Sequence, residues 1–402
     1  MMRSLLLRKL LLAAASGGLL LGILAPAGAV PIFARKYGFE CTMCHSAFPR
    51  LNDWGQRYRQ NGYQIPGKER EDESVSESAT PVSLRAMAGF NSDKFSPDGS
   101  ANVSQLQVGN VDLLSAGLVE RNLGYFLLYR PQLNGSRGVV AQPGTLEMAN
   151  VVFSHLAQRW LNLRLGRMEP AVAVFSPARH LSVTPYEVYD FTFPGGPAFS
   201  DTQTGLEVSG WSRTANCQWA TGWLNGSDTN KDRDTPADWY ARVAHVFGRG
   251  EGQTTGQRVG LVGYWGQARP LLDPDAGRQS FNRWGADASL NLGPANLALQ
   301  YLRGSDNARL WGTVEDVDFS GGFAELTYQP AINLVGFARW DTVSTPDEVT
   351  RDVQRWTLGG RYYFSDQLAG HLEYSHRTQD GGVPASAQLK EDFFTARLDA
   401  AF

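Results

Sequence analysis

The chain predicts an all-β protein: a transmembrane antiparallel β-barrel of about sixteen strands behind a short N-terminal module. Three observations carry this. From Pro81 onward no apolar run approaches the ~20 residues that a membrane helix needs. Instead, segments of ~10 residues alternate in polarity between clusters of Gly, Asn, Asp and Pro. The last segment, 390–402, puts Phe394, Ala396, Leu398, Ala400 and Phe402 on one face and Thr395, Arg397 and Asp399 on the other.

Residues 1–29 carry Arg3, Arg8 and Lys9, then an apolar run from Leu10 to Leu24, then Ala27-Gly28-Ala29. This is the layout of an export signal with a small-residue cleavage site, so the mature protein is expected to begin at Val30 outside the cytoplasm. An N-terminal membrane anchor would leave Ala27-Gly28-Ala29 unexplained. Without the segment, 34 of the 37 basic residues remain against 40 acidic ones, a formal charge of about −6 that argues against a nucleic-acid partner.

The stretch Cys41-Thr42-Met43-Cys44-His45 comes next. Cys-x-x-Cys-His is the attachment sequence of haem c: two thiols add to the vinyl groups and the adjacent imidazole becomes the proximal iron ligand. Cys41 and Cys44 are therefore expected to bind one haem covalently, with His45 on its iron. A zinc site needs about four ligands, and no second Cys-rich or His-rich pair occurs; a redox dithiol should sit beside a βαβ unit, which is missing. Cys217 then has no partner and reads as a small apolar strand residue.

The haem-bearing piece, about 30–66, is too small to wrap a porphyrin by itself, so another part of the chain must cover it. Residues 67–81 read as a polar linker, with Val75 the one large apolar residue from Gly67 to Ser78. Pro31-Ile32-Phe33-Ala34-Arg35, Gly38, the Cys41–His45 motif, Phe48-Pro49, Leu51-Asn52, Gly55 and Asn61-Gly62-Tyr63 resemble the N-terminal module of the fused outer-membrane cytochrome-porins, best known as ferrous-iron oxidases. The likeness covers about 35 residues. It implies one haem c held at or within an outer-membrane barrel, extracellular Fe(II) as electron donor, and a periplasmic c-type cytochrome or cupredoxin as acceptor. It fixes the architecture better than the donor. A diffusion porin with a haem-bearing plug, and a conduit serving another external donor or acceptor, stay open.

The barrel, 82–402, is expected to use segments 82–90, 105–116, 121–130, 145–156, 160–167, 203–211, 216–225, 237–247, 257–266, 281–292, 295–303, 321–329, 333–341, 353–364, 367–377 and 390–402. Short links such as Gly293-Pro294 and Ser365-Asp366 alternate with long ones such as 168–202 and 304–320, and an even strand count leaves both ends in the periplasm. Trp160, Trp239 and Trp340 suit the interfacial girdles. The inner face should carry Arg85, Arg164, Arg242, Arg339, Arg361 and Arg397 against Glu207, Asp287, Glu325, Glu373 and Asp399, an ion-pair network that narrows the lumen.

The distal haem ligand is not readable from the motif. Met87 and His371 are candidates expected to point inward, with Met148, Met168, His155 and His180 behind them. Asp228, Asp232, Asp234, Asp306, Glu315, Asp316, Asp318, Asp347 and Glu348 offer oxygen ligands for transient Fe(II) capture in the outer loops. The loop 168–202, rich in Pro and aromatics, is expected to fold over or into the pore.

Overall fold

The structure, a computed structural model, describes residues 32–40, 43–47, 50–68, 71, 81–96, 102–131, 144–173, 176, 180–212, 214, 216–226, 238–248, 256–271, 273–346, 349, 351–380 and 388–401. The export signal, Cys41, most of the linker, Asp228, Asp232, Asp234, Asp347, Glu348 and Phe402 lie outside them.

Sixteen antiparallel strands close into one barrel. They are β1 (Val82–Ser96), β2 (Val103–Glu120), β3 (Leu123–Arg130), β4 (Thr145–Phe153), β5 (Asn162–Met168), β6 (Gln203–Trp211), β7 (Cys217–Leu224) and β8 (Asp238–Phe247). Then follow β9 (Gln257–Ala268), β10 (Gln279–Leu292), β11 (Ala295–Asp306), β12 (Val317–Ala331), β13 (Leu334–Ser344), β14 (Val353–Ser365), β15 (Leu368–Gln379) and β16 (Leu389–Ala401). Each strand pairs with its neighbours in sequence, and β16 pairs with β1, so no edge is left to solvent or lipid.

All sixteen expected segments are strands, and the differences lie at their ends. β1 and β12 run past the expected limits because their polar outer halves still find ladder partners: Phe95 pairs with Glu391, and Asp318 with Ser305. The fourth segment stops early, at Phe153. His155 takes a φ of 62°, its N–H donating to Asn162 Oδ1 at 3.0 Å, and Leu156–Arg159 form a short separate strand. Cys217 opens β7, half-buried, as a strand residue.

Alternation sets the two faces. On β8, Asp238, Tyr240 and Arg242 are buried inward while Trp239 and Val243 are exposed outward. Trp239, Trp265, Trp340 and Trp356 stand outward near the long-loop end, the first two stacked at 4.7 Å and the others tilted to each other at 6.0 Å. Tyr328, Tyr362 and Phe364 stand outward near the other end. An apolar belt between aromatic girdles around a polar lumen is the surface of a barrel in a bilayer. With short turns at one end and long loops at the other, it is a bacterial outer-membrane barrel, and Val82 and Ala401 lie at the short-turn, periplasmic end.

The inner-face network joins expected arginines to expected acids in Arg164–Glu207 at 2.6 Å, Arg242–Asp287 at 2.8 Å and the close pair Arg361–Asp399, while Arg339 and Arg85 pair instead with Asp341 and Asp112, and Glu325 and Glu373 turn to Arg50 and His371. Arg258, Arg283 and Arg355 are also buried along it. Two chain segments fill much of the space these side chains enclose, one from each end.

Candidate functional site

The periplasmic segment begins with α1 (Ile32–Tyr37). A two-stranded turn follows, His45–Ala47 against Arg50–Leu51, with His45 opposite Leu51. α2 (Asp53–Gln60) starts where Asn52 accepts the Gly55 N–H at 2.8 Å, which satisfies one of the free donors at a helix start. The same Asn52 donates its Nδ2 to the Met43 carbonyl at 3.0 Å and its backbone N–H to the Cys44 carbonyl at 2.9 Å. Gly55 has to be small: a Cβ there would stand 2.2 Å from the Cys44 carbonyl oxygen. Asn52 and Gly55 thus clamp α2 onto the Cys-x-x-Cys-His stretch.

Of that stretch, Cys44 and His45 are half-buried and Met43 is exposed, while Cys41 lies outside the described residues. His45 lines a cleft of about 380 Å³ between this segment and the barrel wall. Arg85, Ala369, Asp399 and the β12–β13 and β14–β15 turns form its other side, mixing apolar groups such as Ile332, Phe364 and Leu368 with one arginine and the acids Glu40, Asp366 and Asp399. For an apolar macrocycle bearing two carboxylates the apolar groups match, whereas Arg85, itself paired with Asp112, is the one cation beside three acids.

An aromatic stack ties the segment together. Phe39 meets Trp54 edge-on at 5.9 Å, Trp54 stacks on Tyr58 at 5.3 Å, and Phe33 stacks on Tyr63 at 5.3 Å. Tyr63 then stacks on Phe126 of β3 at 5.6 Å. Tyr63 holds a φ of 65°, a costly conformation for a residue with a Cβ, fixed here by rings on both sides.

Polar contacts dock the segment inside the lumen. Arg50, 3% exposed, donates to Glu325 Oε1 and Thr327 Oγ1, both at 2.9 Å, and also to Asn296. Gln60 accepts from Gln218 at 2.8 Å, Gln56 from Arg258 at 2.5 Å, Gln64 donates to Ser154 at 2.6 Å, and Arg59 pairs with Glu169 at 3.1 Å. Burial lowers the pKa of Arg50 and raises that of Asp53, opposed by Glu325 for the first and by Arg57 for the second.

From the long-loop end, the described residues of 169–202 fold into the lumen, one of the two courses expected for this loop. Tyr186, Val188, Tyr189, Phe191, Phe193 and Phe199 bury against inward residues including Tyr264, Phe281, Phe319 and Phe323. α3 (Glu187–Asp190) carries Val188 and Tyr189 of this set. Tyr186 donates to Glu325 Oε2 at 3.0 Å, and Tyr189 to Gln300 at 2.8 Å. Thr184 donates its N–H to Glu373 Oε1 at 2.9 Å, and Arg339 reaches the Pro185 carbonyl at 2.7 Å. Glu325, 0% exposed, therefore receives Arg50 from below and Tyr186 from above: the two insertions meet on one carboxylate.

The remaining candidates separate cleanly. Met87 and His371 both face inward and are buried, though neither lines the His45 cleft. His371 Nε2 lies 3.0 Å from Glu373, the anchor of the inserted loop. His180 sits in that loop, its Nδ1–H given to the Ser182 carbonyl at 2.7 Å; burial, then Arg339, push its pKa down to about 4. Met148 packs with Tyr58, Tyr63 and Phe126, Met168 ends β5, and His155 lies in the β4–β5 turn.

Of the nine acidic loop residues, three have partners among the described residues. Asp306 is buried against Arg283 and Trp311, Asp316 accepts the Ala308 N–H at the start of α4 (Ala308–Trp311), and Asp318 pairs with Arg303 at 3.2 Å. Among the described residues no group of three or more His, Cys, Asp or Glu is placed to hold a metal ion. Gly124, Gln60 and Gln218 were not singled out from sequence, and Asn52 entered only through the resemblance, although Asn ahead of a helical run is an N-cap signal.

Residues 267–402 match the family described as Phosphate-selective porin O and P, about a third of the chain. No curated protein sequence matches. In fold the chain is similar to an anion-selective porin from Comamonas acidovorans, with TM-score 0.59, 13% identity, and 80% of this chain and 99% of the other covered. It is also similar to OmpF of Salmonella typhi in complex with daunomycin, with TM-score 0.58, 12% identity, and 80% and 97% covered. The outer membrane channel DcaP of Acinetobacter baumannii is comparable, with TM-score 0.57, 11% identity, and 80% and 97% covered. The barrel is porin-like.

Proposed function

We propose that this porin-like barrel is a monohaem cytochrome-porin that takes single electrons from extracellular Fe(II) and passes them to a periplasmic c-type cytochrome or cupredoxin. The observation that carries this reading is the position of His45, the imidazole of a haem-attachment sequence, on a cleft between the inserted segment and the lumen wall. Cys41, Cys44 and His45 would hold the haem, and covalently bound haem supplies reversible one-electron chemistry at its iron. The chain's own residues supply the rest. Asn52 and Gly55 hold the motif's backbone, and Arg85 offers a cation at the cleft. The barrel gives the ~37-residue module the cover that its size denies it. Ferric products are poorly soluble near neutral pH, so oxidation on the outside keeps precipitate from the periplasm.

The test is direct. Purified full-length protein in detergent, mixed anaerobically with Fe(II), should develop the sharp bands of reduced haem c. A haem that stays oxidised removes Fe(II) as donor, and a protein without covalent porphyrin removes the reading altogether.

A second reading, a diffusion porin with a haem-bearing plug, is favoured by one observation: the porin family match over 267–402, among lumen arginines such as Arg283, Arg355 and Arg361. Planar-bilayer recording separates the two. Open steps of porin size from the whole protein support diffusion; a closed barrel supports the conduit, because the inserted loop and module both cross the lumen.

A further inference from the structure

The two insertions enter the lumen from opposite ends and share their partners at two carboxylates. Glu325 of β12 takes Arg50 of the periplasmic module on Oε1 at 2.9 Å and the Tyr186 hydroxyl of the outer loop on Oε2 at 3.0 Å. Glu169, the first residue of that loop, pairs through Oε2 with Arg59 of α2 at 3.1 Å, while its Oε1 accepts the Ser176 hydroxyl from within the loop. Where module, loop and wall meet, the space left is about 30 Å³, lined by Gln56, Arg59, Gln60, Glu169, Ser176 and Gln218. That is room for about two waters. Both carboxylates are buried while both insertions are in place.

Burial gives the coupling its sign. With the loop seated, departure of the module leaves Glu325 buried with a neutral donor, Tyr186, and takes Arg59 from Glu169; a buried carboxylate that loses its cation is costly. With the loop withdrawn, water reaches both carboxylates, and the same departure costs less because hydration replaces the lost arginines. By linkage the converse holds with the same factor: a displaced module makes the loop easier to withdraw. The loop is held to the wall elsewhere by contacts that do not touch the module. Glu187 pairs with Arg355 and Arg377, both at 3.0 Å, and the Thr184 hydroxyl donates to Glu373 at 2.7 Å.

We propose that the outer loop and the periplasmic module are an interlocked pair, such that withdrawal of the loop at the outer mouth loosens the module at the periplasmic end, and the reverse. The joints are Glu325 and Glu169, and the sixteen-strand ladder stays as it is. This coupling carries a conformational signal from one side of the membrane to the other, and it does not rest on the haem reading.

The test is amide exchange on full-length protein in detergent, perturbing one end and reading the other. Thr184→Val with Glu187→Gln strips the loop of two wall anchors. Exchange should quicken at 183–191 and, by about five-fold or more, across 53–66. Gly124→Val displaces the module from the wall at Gly62 and should quicken 183–191 in turn. Heat-modifiable gel mobility should stay that of wild type in both. Arg59→Gln with Tyr186→Phe cuts a contact at each joint while the ring keeps its stack on Phe323. In that background T184V/E187Q should leave 53–66 at the rate of the joint-cut protein. The proposal is overturned if the far end keeps the wild-type rate in either arm, or if transmission survives the cut joints.

Discussion

The joint between the two insertions gives the sharpest prediction. Arg50 and Glu325 are 3% and 0% exposed and meet at 2.9 Å, so Arg50→Met leaves a carboxylate buried with Tyr186 as its remaining donor. Removing one member of a buried ion pair costs about 3–5 kcal/mol, and the lost bonds to Thr327 and Asn296 are part of the same deficit. In docking terms this is on the order of a hundred-fold to several thousand-fold in favour of the displaced segment. Because only the segment and not the sixteen-strand ladder is affected, the loss should appear as faster amide exchange across 53–66, with heat-modifiable gel mobility of the barrel unchanged. Removing both charges, in R50M with Glu325→Gln, should restore most of the protection, since no charge is then left buried alone. If R50M exchanges at the wild-type rate, or if the double variant is simply the sum of the singles, Glu325 is not the joint.

Other outcomes follow from single contacts. Gly124→Val should expel the segment from the wall, because a Cβ at 124 would stand 2.2 Å from the Gly62 carbonyl oxygen; protease cleavage after Arg57 or Arg59 in the folded barrel would report it. Asn52→Ala should cost roughly 1 kcal/mol through the cap alone and loosen the Cys44 backbone as well, read as a lower yield of covalent haem at normal barrel yield. His180 is neutral in the fold, with its pKa lowered to about 4 from 6.5. The unfolded loop therefore binds more protons below pH 6.5, and loop docking should weaken as pH falls from 6.5 toward 4, by at most about 3 kcal/mol. Urea unfolding across that range should show the slope in wild type and a flatter one in His180→Asn.

Barrel and insertions differ in how far they can be read from the chain. A strand of a membrane barrel meets lipid on one side and polar lumen on the other, so period-two alternation is written into every strand; Trp284, Asp287 and Ser289 already show it. The outer end of β1 was less legible, since past Phe90 it runs Asn-Ser-Asp-Lys and the alternation of burial fades. The Cys-x-x-Cys-His motif is local chemistry with its own spacing, whereas its supports are not. Asn52 acts through Met43 and Cys44 nearby, but Gln60 finds Gln218 and Arg50 finds Glu325 only after the barrel has closed. The outer-loop acids looked available for cations because nothing in the chain announces that Asp306 meets Arg283, or that Asp318 meets Arg303.

What the amino-acid order determined by itself was therefore everything set by neighbours two or three residues away: the strands, their inward and outward faces, the closing aromatic strand and the thiol-imidazole motif. Which residues share the lumen was decided by tertiary structure alone. Closure of β16 on β1 is what places Asp399 beside Met87, and the entry of two segments from opposite ends is what joins Arg50 and Tyr186 on Glu325. Contacts between residues more than a hundred positions apart depend on strand number, tilt and register together, and no local pattern encodes those.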